Sequence, residues 1–267
     1  LNNVDQIRPA IEAVLETDHA VAEAALCYTG NMTAPGENLY TLDYYLRLAD
    51  RIVAAERRSG HLVGVISQHR FDRSSQQVHE AVRSGRLGRL TSASASCAWW
   101  RGQAYYDSGA WRGTKAVDGG GAAMNQGVHV IDLLLAMMGD PVEVFAYTGL
   151  LAHERIDVED IAVAVVRFAR GALGTIHVTT AAYPGVESGL RIYGDRGSAV
   201  IVDDELVFHY EAAPSLDVHA ATSGAASHGA SQVTGAGSAA GHAGALGHAH
   251  RLQIEDMVRA VRAYQSG

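Results

Sequence analysis

The first quarter of the chain alternates between helical and extended patterns of apolar positions. Apolar residues recur every three or four positions over 4–16 and again over 42–58, which predicts two amphipathic helices. Residues 20–28 and 61–66 are short, continuous apolar runs, which predict two buried strands. A strand, a crossover helix and a second strand form a βαβ unit, whose strands are normally parallel. Residues 1–66 are therefore predicted to form a small α/β segment.

The middle of the chain predicts one helix followed by a series of strands. Residues 72–85 suit a helix that Gly85 ends, and residues 89–100 alternate apolar and small polar side chains, as a half-buried strand does. Further strand-like runs, joined by turn-like segments, lie at 142–150, 160–168, 172–182, 189–194, 198–202 and 205–210. Consecutive strands with hairpin connections predict an antiparallel sheet, so residues 67–267 are interpreted as a second domain of the α+β class.

Residues 212–250 differ in composition from the rest of the chain. Thirty of these 39 residues are Ala, Gly, Ser or His, and Asp217 is the only charged one among them, counting Asp, Glu, Lys and Arg. Such a stretch buries too little apolar surface to offset its ordering entropy, which predicts a long flexible loop. Six of the 13 histidines lie between His209 and His250. Their spacing is irregular and no Cys or carboxylate ligand pattern accompanies them, so no metal site is predicted.

Composition and charge exclude several classes of function. The 267 residues are 48% hydrophobic and 19% charged, which allows a sizeable core, and the formal net charge is −8 with no basic patch. We therefore expect neither nucleic acid nor an anionic membrane as a partner. No apolar run is long enough for a transmembrane helix, and no signal-peptide pattern is present. Two cysteines, Cys27 and Cys97, favour a reducing, cytoplasmic location.

Candidate chemistry lies on the helix predicted after Gly119, Gly120 and Gly121. In a continuous helix, Asn125, His129 and Asp132 occupy positions i, i+4 and i+7, and therefore one face. A neutral histidine near pH 7 can accept the proton of a hydroxyl group whose carbon is being oxidised. The pattern is also compatible with a structural histidine and with an Asp132 that only braces a neighbouring element.

A group of aromatic residues precedes these glycines. It consists of Trp99, Trp100, Tyr105, Tyr106 and Trp111. Aromatic faces stack on the C–H faces of sugars, and Arg112 can reach hydroxyl groups or a carboxylate. Tyr106, Trp111 and Arg112 flank a loop and are predicted substrate contacts, although several of the aromatic residues are equally compatible with a core. Arg101 and His153 are expected to be structural or on the surface.

The first 50 residues resemble a known enzyme domain. The sequence LNNVDQIRPAIEAVLET, followed by VAEAALCYTGN and PGENLYTLDYYLRLAD, is similar to part of the carboxyltransferase domain of pyruvate carboxylase. In that family the stretch is a helix–strand–helix piece of a TIM barrel. The metal-binding, biotin-pocket and carbamylated-lysine motifs of that domain lie outside the stretch, so the resemblance implies no active site here.

From about Ala49 the chain resembles a different family. The runs ADRIVAAERRSGHLVGVISQHRF, GGGAAMNQGVHVIDLLLAMMG and VEDIAVAVVRFARGALGTIHVTT are similar to the Gfo/Idh/MocA family. These are NAD(P)-dependent oxidoreductases that act on sugars, inositols and related polyols, and the likeness covers about 180 of the 267 residues. It implies an open sheet backed by helices, which usually forms dimers or tetramers.

The same resemblance implies roles for individual residues. His129 stands at the position of the family's general acid/base, and Asn125 stands where many members have Asp. Gly120 and Gly121 would lie on the cofactor side, and Asp132, with the aromatic loop, on the substrate side.

The chain also departs from this family. It lacks the G-x-G-x-x-G turn that cradles a dinucleotide pyrophosphate, and ENLYTLDYY stands where the family has Glu-Lys-Pro. It also stops within what resembles the family's closing region, as expected of a truncated member. The sequence therefore predicts a chimera, in which residues 1–66 form a partial Rossmann-like segment and residues 67–267 a substrate and oligomerisation domain. NAD(P)-dependent oxidation is expected to be impaired. A non-catalytic oligomerising module and a pyruvate carboxylase fragment remain alternatives.

Overall fold

The structure, a computed structural model, describes residues 42–220 and 242–266. The predicted helix at 4–16 and the predicted strand at 20–28 lie outside these residues. The helices are α1 (Leu42–Ser59), α2 (Arg73–Arg83), α3 (Gln103–Asp107), α4 (Ala122–Asn125), α5 (Val128–Met138) and α6 (His242–Ser266), with a 3-10 helix at Gln68–Phe71. In the described part of the chain, no helix is both long and apolar enough to cross a membrane.

Seven strands form one open sheet. They are β1 (Leu90–Ala98), β2 (Pro141–Gly149), β3 (Ile161–Phe168), β4 (Leu173–Thr179), β5 (Ser188–Gly194), β6 (Gly197–Val202) and β7 (Glu205–Glu211). Their order across the sheet is β2-β3-β4-β1-β5-β6-β7. The strand positions agree closely with those that the sequence predicts, and the open sheet with helices confirms the predicted fold class.

One face of the sheet is covered by helices. Helix α5 packs on β1 and β5, α4 on β3 and β4, and α2 on β6 and β7. The alternation of β3 places Ala162, Ala164, Val166 and Phe168 on this covered face, where they are buried with Leu134 of α5. The opposite face of the sheet carries no helix of the described residues, so the core lies between α2, α4, α5 and one face of the sheet.

The structure corrects the prediction of a strand at 61–66. This segment has no regular structure, and Val63, Val65 and Ile66 are 45%, 68% and 55% exposed. A strand needs a neighbour that takes its backbone hydrogen bonds. Here the Val63 N–H donates to the side chain of Glu56, and the Val65 carbonyl accepts from Gln253 of α6. Apolar composition alone did not provide the pairing, so the described residues contain no βαβ unit.

Two further predictions are wrong in part. The sheet is mixed, because β1 and β4 run parallel while every other neighbouring pair is antiparallel. The long connection through α3, α4 and α5 and the β2–β3 hairpin allows this crossover. Residues 242–250, predicted as part of a loop, are helical and begin α6, where Ala249 is buried. Ala and Leu have high helix propensity, so residues 242–250 join the helix that the amphipathic segment after residue 250 forms.

Candidate functional site

The glycine turn before α4 is held by the side chain of Glu159. The N–H groups of Gly121 and Ala123 donate to the two carboxylate oxygens of Glu159 at 3.1 and 3.0 Å. The N–H of Ala122 donates to the Glu159 carbonyl oxygen at 2.9 Å. A Cβ on Gly121 would overlap that carbonyl oxygen, so the turn requires glycine because of close backbone approach. Glu159 therefore satisfies the first donors of a very short helix.

The helix after the glycine turn is interrupted, so the prediction of one continuous helix through Asn125, His129 and Asp132 is wrong, and only His129 and Asp132 share a helix. Helix α4 ends at Asn125, and α5 begins at Val128. Gly127 lies between them and packs so closely on β4 that a Cβ would overlap Val178. Asn125 consequently points to a different partner from His129, and its side-chain amide donates to the Asp118 carboxylate at 2.5 Å.

His129 lies beside a second histidine that the sequence analysis missed. The rings of His129 and His69, which belongs to the 3-10 helix, are 5.0 Å apart in an edge-to-face arrangement. Burial lowers the pKa of His129, and the positive charge of His69 lowers it further, with smaller opposing effects from nearby Asp132 and Asp204. His129 is therefore neutral at pH 7, the form that can accept a proton.

His69 is held between two carboxylates. Its Nδ1 lies 2.8 Å from Asp72 and 3.0 Å from Asp204. Burial alone would lower the pKa of His69, but the hydrogen bonds to Asp204 and Asp72 outweigh it and raise the pKa to about 9. One ligand atom from each of these three residues lies within 4.8 Å of the others, a spacing compatible with a metal ion. An imidazolium between two carboxylates accounts for the same distances.

Asp132 makes an ion pair instead of facing open space. Arg70 donates two hydrogen bonds to its carboxylate, at 2.7 and 2.6 Å. This bidentate pair joins α5 to the 3-10 helix. The arrangement favours the bracing role that the sequence left open for Asp132, and a substrate contact by this residue stays a prediction.

The aromatic loop divides into buried and accessible residues. Tyr106 is 7% exposed, and its hydroxyl is 2.8 Å from that of Thr180, so the structure places it in a small core with Ile156 and Val158. This position argues against the predicted substrate contact by Tyr106. Trp111 is 45% exposed, and the Arg112 guanidinium lies 4.3 Å from its ring centre. Both remain accessible to a ligand.

Asp118 links the aromatic loop to the helix that carries Asn125. One oxygen of its carboxylate accepts the Gly113 N–H at 2.8 Å, and the other accepts the amide of Asn125. Arg112 is adjacent to Gly113, so the residues predicted for substrate binding and for catalysis meet through this carboxylate. Neither composition nor spacing identified Asp118, whose partners are five and seven residues away along the loop.

A buried hydrogen bond between an aspartate and a histidine supports the same region. Asp160 and His153 are fully buried, and their side chains are 2.9 Å apart. The Asp160 carboxylate also accepts the N–H groups of Leu151 and Ala152. Burial by itself would raise the pKa of Asp160, but these donors and His153 outweigh it and hold the pKa below its ordinary range. Glu159 and Asp160, adjacent acidic residues directly before a strand, are the signal that sequence reasoning missed.

The glycine turn before α4 is not a free pyrophosphate cradle, because the N–H of Gly121 already donates to Glu159. Within residues 42–220 and 242–266 no G-x-G-x-x-G turn joins a parallel strand to a helix. A pyrophosphate cradle needs such a turn. A cofactor contact by Gly120 or Gly121 stays a prediction.

Comparison with known proteins agrees with both sequence resemblances. A 65-residue stretch is 43% identical to the pyruvate carboxylase of Aspergillus terreus, and this match covers 24% of this chain and 5% of that enzyme. The myo-inositol 2-dehydrogenase of Thermotoga maritima is 30% identical over 162 residues, 55% of this chain and 43% of that one. The chain thus spans less than half the length of either curated relative.

A solved structure and a domain model are similar to the second part of the chain. The WlbA dehydrogenase from Bordetella pertussis, solved with NADH and UDP-GlcNAcA, is 36% identical with a TM-score of 0.60, covering 63% of this chain and 53% of that one. NADH belongs to the cofactor class that the sequence resemblance implied. The model of the GFO/IDH/MocA C-terminal domain matches residues 75–200. Residues 75–200 of this chain are thus similar to the C-terminal domain of the Gfo/Idh/MocA family.

Proposed function

We propose that this chain contains the substrate domain of an oxidoreductase that removes hydrogen from a hydroxyl-bearing carbon of a sugar, inositol or related polyol. The observation that carries the proposal is His129, which is neutral at pH 7 because burial and His69 lower its pKa. It follows the glycine turn in a domain whose relatives include dehydrogenases. A neutral imidazole can take the proton of the reacting hydroxyl.

Asn125 is proposed to orient the reacting hydroxyl. Its amide nitrogen donates to Asp118, which leaves its carbonyl oxygen as an acceptor for a hydroxyl group. An amide cannot relay a proton at neutral pH, so His129 would take the proton alone. Trp111 and Arg112 would border the substrate on the loop that Asp118 holds next to Asn125.

Oxidation is tested directly with a panel of sugars, sugar acids and polyols. With NAD or NADP raised to several millimolar, we expect at least one member of the panel to be oxidised, and the formation of reduced dinucleotide to be lost in His129→Gln. His79→Gln is the matched control, because His79 is exposed on α2. No oxidation of any compound by the unaltered chain would favour a non-catalytic role.

Binding of the dinucleotide by this chain is proposed to be weak. The sequence lacks the glycine-rich pyrophosphate turn and the Glu-Lys-Pro lysine. Loss of about three charge-assisted hydrogen bonds, each worth roughly 1.5–3 kcal/mol, would lower the affinity by about 10³- to 10⁶-fold. Calorimetry should therefore find binding no tighter than millimolar, with no turnover on inositol or glucose. Micromolar binding would contradict this proposal.

A second candidate function, a non-catalytic oligomerising module, is favoured by the open face of the sheet. Phe145, Tyr147, Val163, Val165 and Leu173 lie there, each between 47% and 73% exposed. A groove of about 400 Å³ runs between Phe145, Val165 and Leu173. Contiguous exposed apolar surface marks an interaction site. We propose that a second copy of the chain covers this face, in a dimer or tetramer.

Sedimentation velocity tests the oligomer. The unaltered chain should sediment as a dimer or larger, and Tyr147→Glu should dissociate it, because the charge would be buried between two sheets. Tyr183→Glu is the control, since Tyr183 is 78% exposed but lies outside the strands. A stable monomer at tens of micromolar would contradict the proposal.

The cytoplasmic location stays a prediction. The remaining alternative, a pyruvate carboxylase fragment, would be tested by an assay of carboxyl transfer from a biotin carrier.

A further inference from the structure

Two arginine side chains share one tyrosine ring in the aromatic loop. The guanidinium carbon of Arg112 lies 4.4 Å from the centre of the Tyr105 ring, and that of Arg101 lies 5.3 Å from the same centre. Arg101 also lies 5.2 Å from the Trp99 ring, and Arg112 lies over Trp111. Because both guanidinium groups lie close to one ring, they are at most about 10 Å apart.

Neither guanidinium has a carboxylate partner among the described residues. Within residues 42–220 and 242–266 both guanidinium groups contact aromatic rings, and the Nε of Arg101 is buried with no hydrogen-bond partner. Five N–H donors on each guanidinium are directed outwards in its plane. An unpaired, partly buried charge is unfavourable, and two like charges on one ring add repulsion.

The acidic groups of this region are already engaged. Asp107 accepts hydrogen bonds from Arg155 and Gln103, and Asp118 accepts from Gly113 and Asn125. Neither is therefore available to neutralise the two arginines. An anion from outside the chain would supply the missing acceptors and the missing negative charge.

We propose that Arg101 and Arg112 bind an anionic group of the substrate, a carboxylate or a phosphate carried by a sugar. The inference rests on the proposed function and names its substrate class. Trp111 would pack on the sugar ring while the guanidinium groups hold the anion. Because Asp118 ties Gly113 to Asn125, the anion site lies on the loop next to the helix of the proposed reaction centre.

Equilibrium binding to the whole chain tests the proposal without any dinucleotide. The probes are D-glucuronate, D-glucose 6-phosphate and D-glucose. Their binding is measured by calorimetry and by tryptophan fluorescence, which reports on the site because Trp99 and Trp111 contact the two arginines. At least one anionic probe should bind tenfold or more tightly than glucose, and its affinity should fall with added salt. The stronger of the two anions identifies carboxylate or phosphate as the preferred group.

Variants separate the anion site from general damage. Arg112→Gln and Arg101→Gln should each weaken anion binding by about 10- to 100-fold, so that the preference for the anion over glucose is lost. The anion affinity of Arg112→Lys should lie between those of the unaltered chain and Arg112→Gln, because lysine keeps the charge but loses the planar donor geometry. Arg155→Gln is the matched control, a nearby exposed arginine already paired with Asp107. Arg112→Gln and Arg112→Lys suffice if Arg101→Gln does not fold.

Three outcomes would overturn the inference: no preference for either anion over glucose, no binding of any probe, or anion binding unchanged in the arginine variants. Failure of the proposed function looks different, because an anion would then bind through both arginines while no compound is oxidised. Conversely, oxidation of a neutral polyol without any anion preference would refute the inference alone.

Discussion

Replacement of Asp160 by Asn should strongly destabilise the protein. The carboxylate is fully buried and accepts four hydrogen bonds: from the backbone N–H groups of Leu151, Ala152 and His153, and from the His153 ring. Asn keeps one acceptor oxygen, but its NH₂ group would face N–H donors, which lose their charged acceptor. Hydrogen bonds to a charged group contribute roughly 1.5–3 kcal/mol each, so losing two of them costs about 3–5 kcal/mol.

The same reasoning fixes the pH dependence of the effect. The pKa of Asp160 is held below its ordinary value in the folded protein, so ionised Asp160 stabilises the fold at neutral pH. This contribution is present above the unfolded pKa, about 4, and is lost as the pH falls through the lower folded pKa. The stability difference between the unaltered chain and Asp160→Asn should therefore shrink below about pH 4.

Urea unfolding followed by tryptophan fluorescence measures both effects, because the Trp100 ring lies 5.6 Å from that of His153. Glu154→Gln is the control: the Glu154 side chain is 84% exposed, and this substitution should change the free energy of unfolding by less than about 0.5 kcal/mol. A loss below about 1 kcal/mol in Asp160→Asn at pH 7 would refute the assigned role of this carboxylate.

Three further substitutions test the surrounding contacts. His69→Gln should lower the free energy of unfolding by about 1–3 kcal/mol at pH 6. Because the pKa of His69 is about 9 in the folded protein and 6.5 in the unfolded chain, this loss should fade as the pH rises through 9. A constant difference between the thermal melts of the two proteins from pH 6 to pH 10 would contradict the expectation. Gly121→Ala should cost about 2–4 kcal/mol in urea unfolding through overlap with the Glu159 carbonyl, whereas Gly102→Ala, with no atom nearer than 3.8 Å, should cost about 1 kcal/mol or less. Asp132→Asn should cost no more than about 1 kcal/mol, since Arg70 is half exposed, and a loss above 2 kcal/mol in the same assay would show a larger role for this pair.

The sequence by itself determined the strands of the second domain and its first helix, α2. Period-two alternation, as in residues 160–168, and turn residues such as Gly171 placed each strand to within a few residues. These signals are local, because the burial of one strand face is written into neighbouring positions of the chain. The resemblances at 75–200 and in the pyruvate carboxylase-like stretch were also visible from the sequence.

Only the tertiary structure decided how the candidate site is assembled. Spacing placed Asn125 and His129 in one continuous helix, but the helix is interrupted between them at Gln126 and Gly127, where Gly127 packs closely against Val178. The apolar run at 61–66 is not a strand because pairing depends on a neighbour that no local pattern specifies. His69, which lowers the pKa of His129, lies 60 residues before it in the chain, and Glu159, which holds α4, lies 34 residues after the last residue of that helix. Contacts over such distances form only when the sheet and helices pack together.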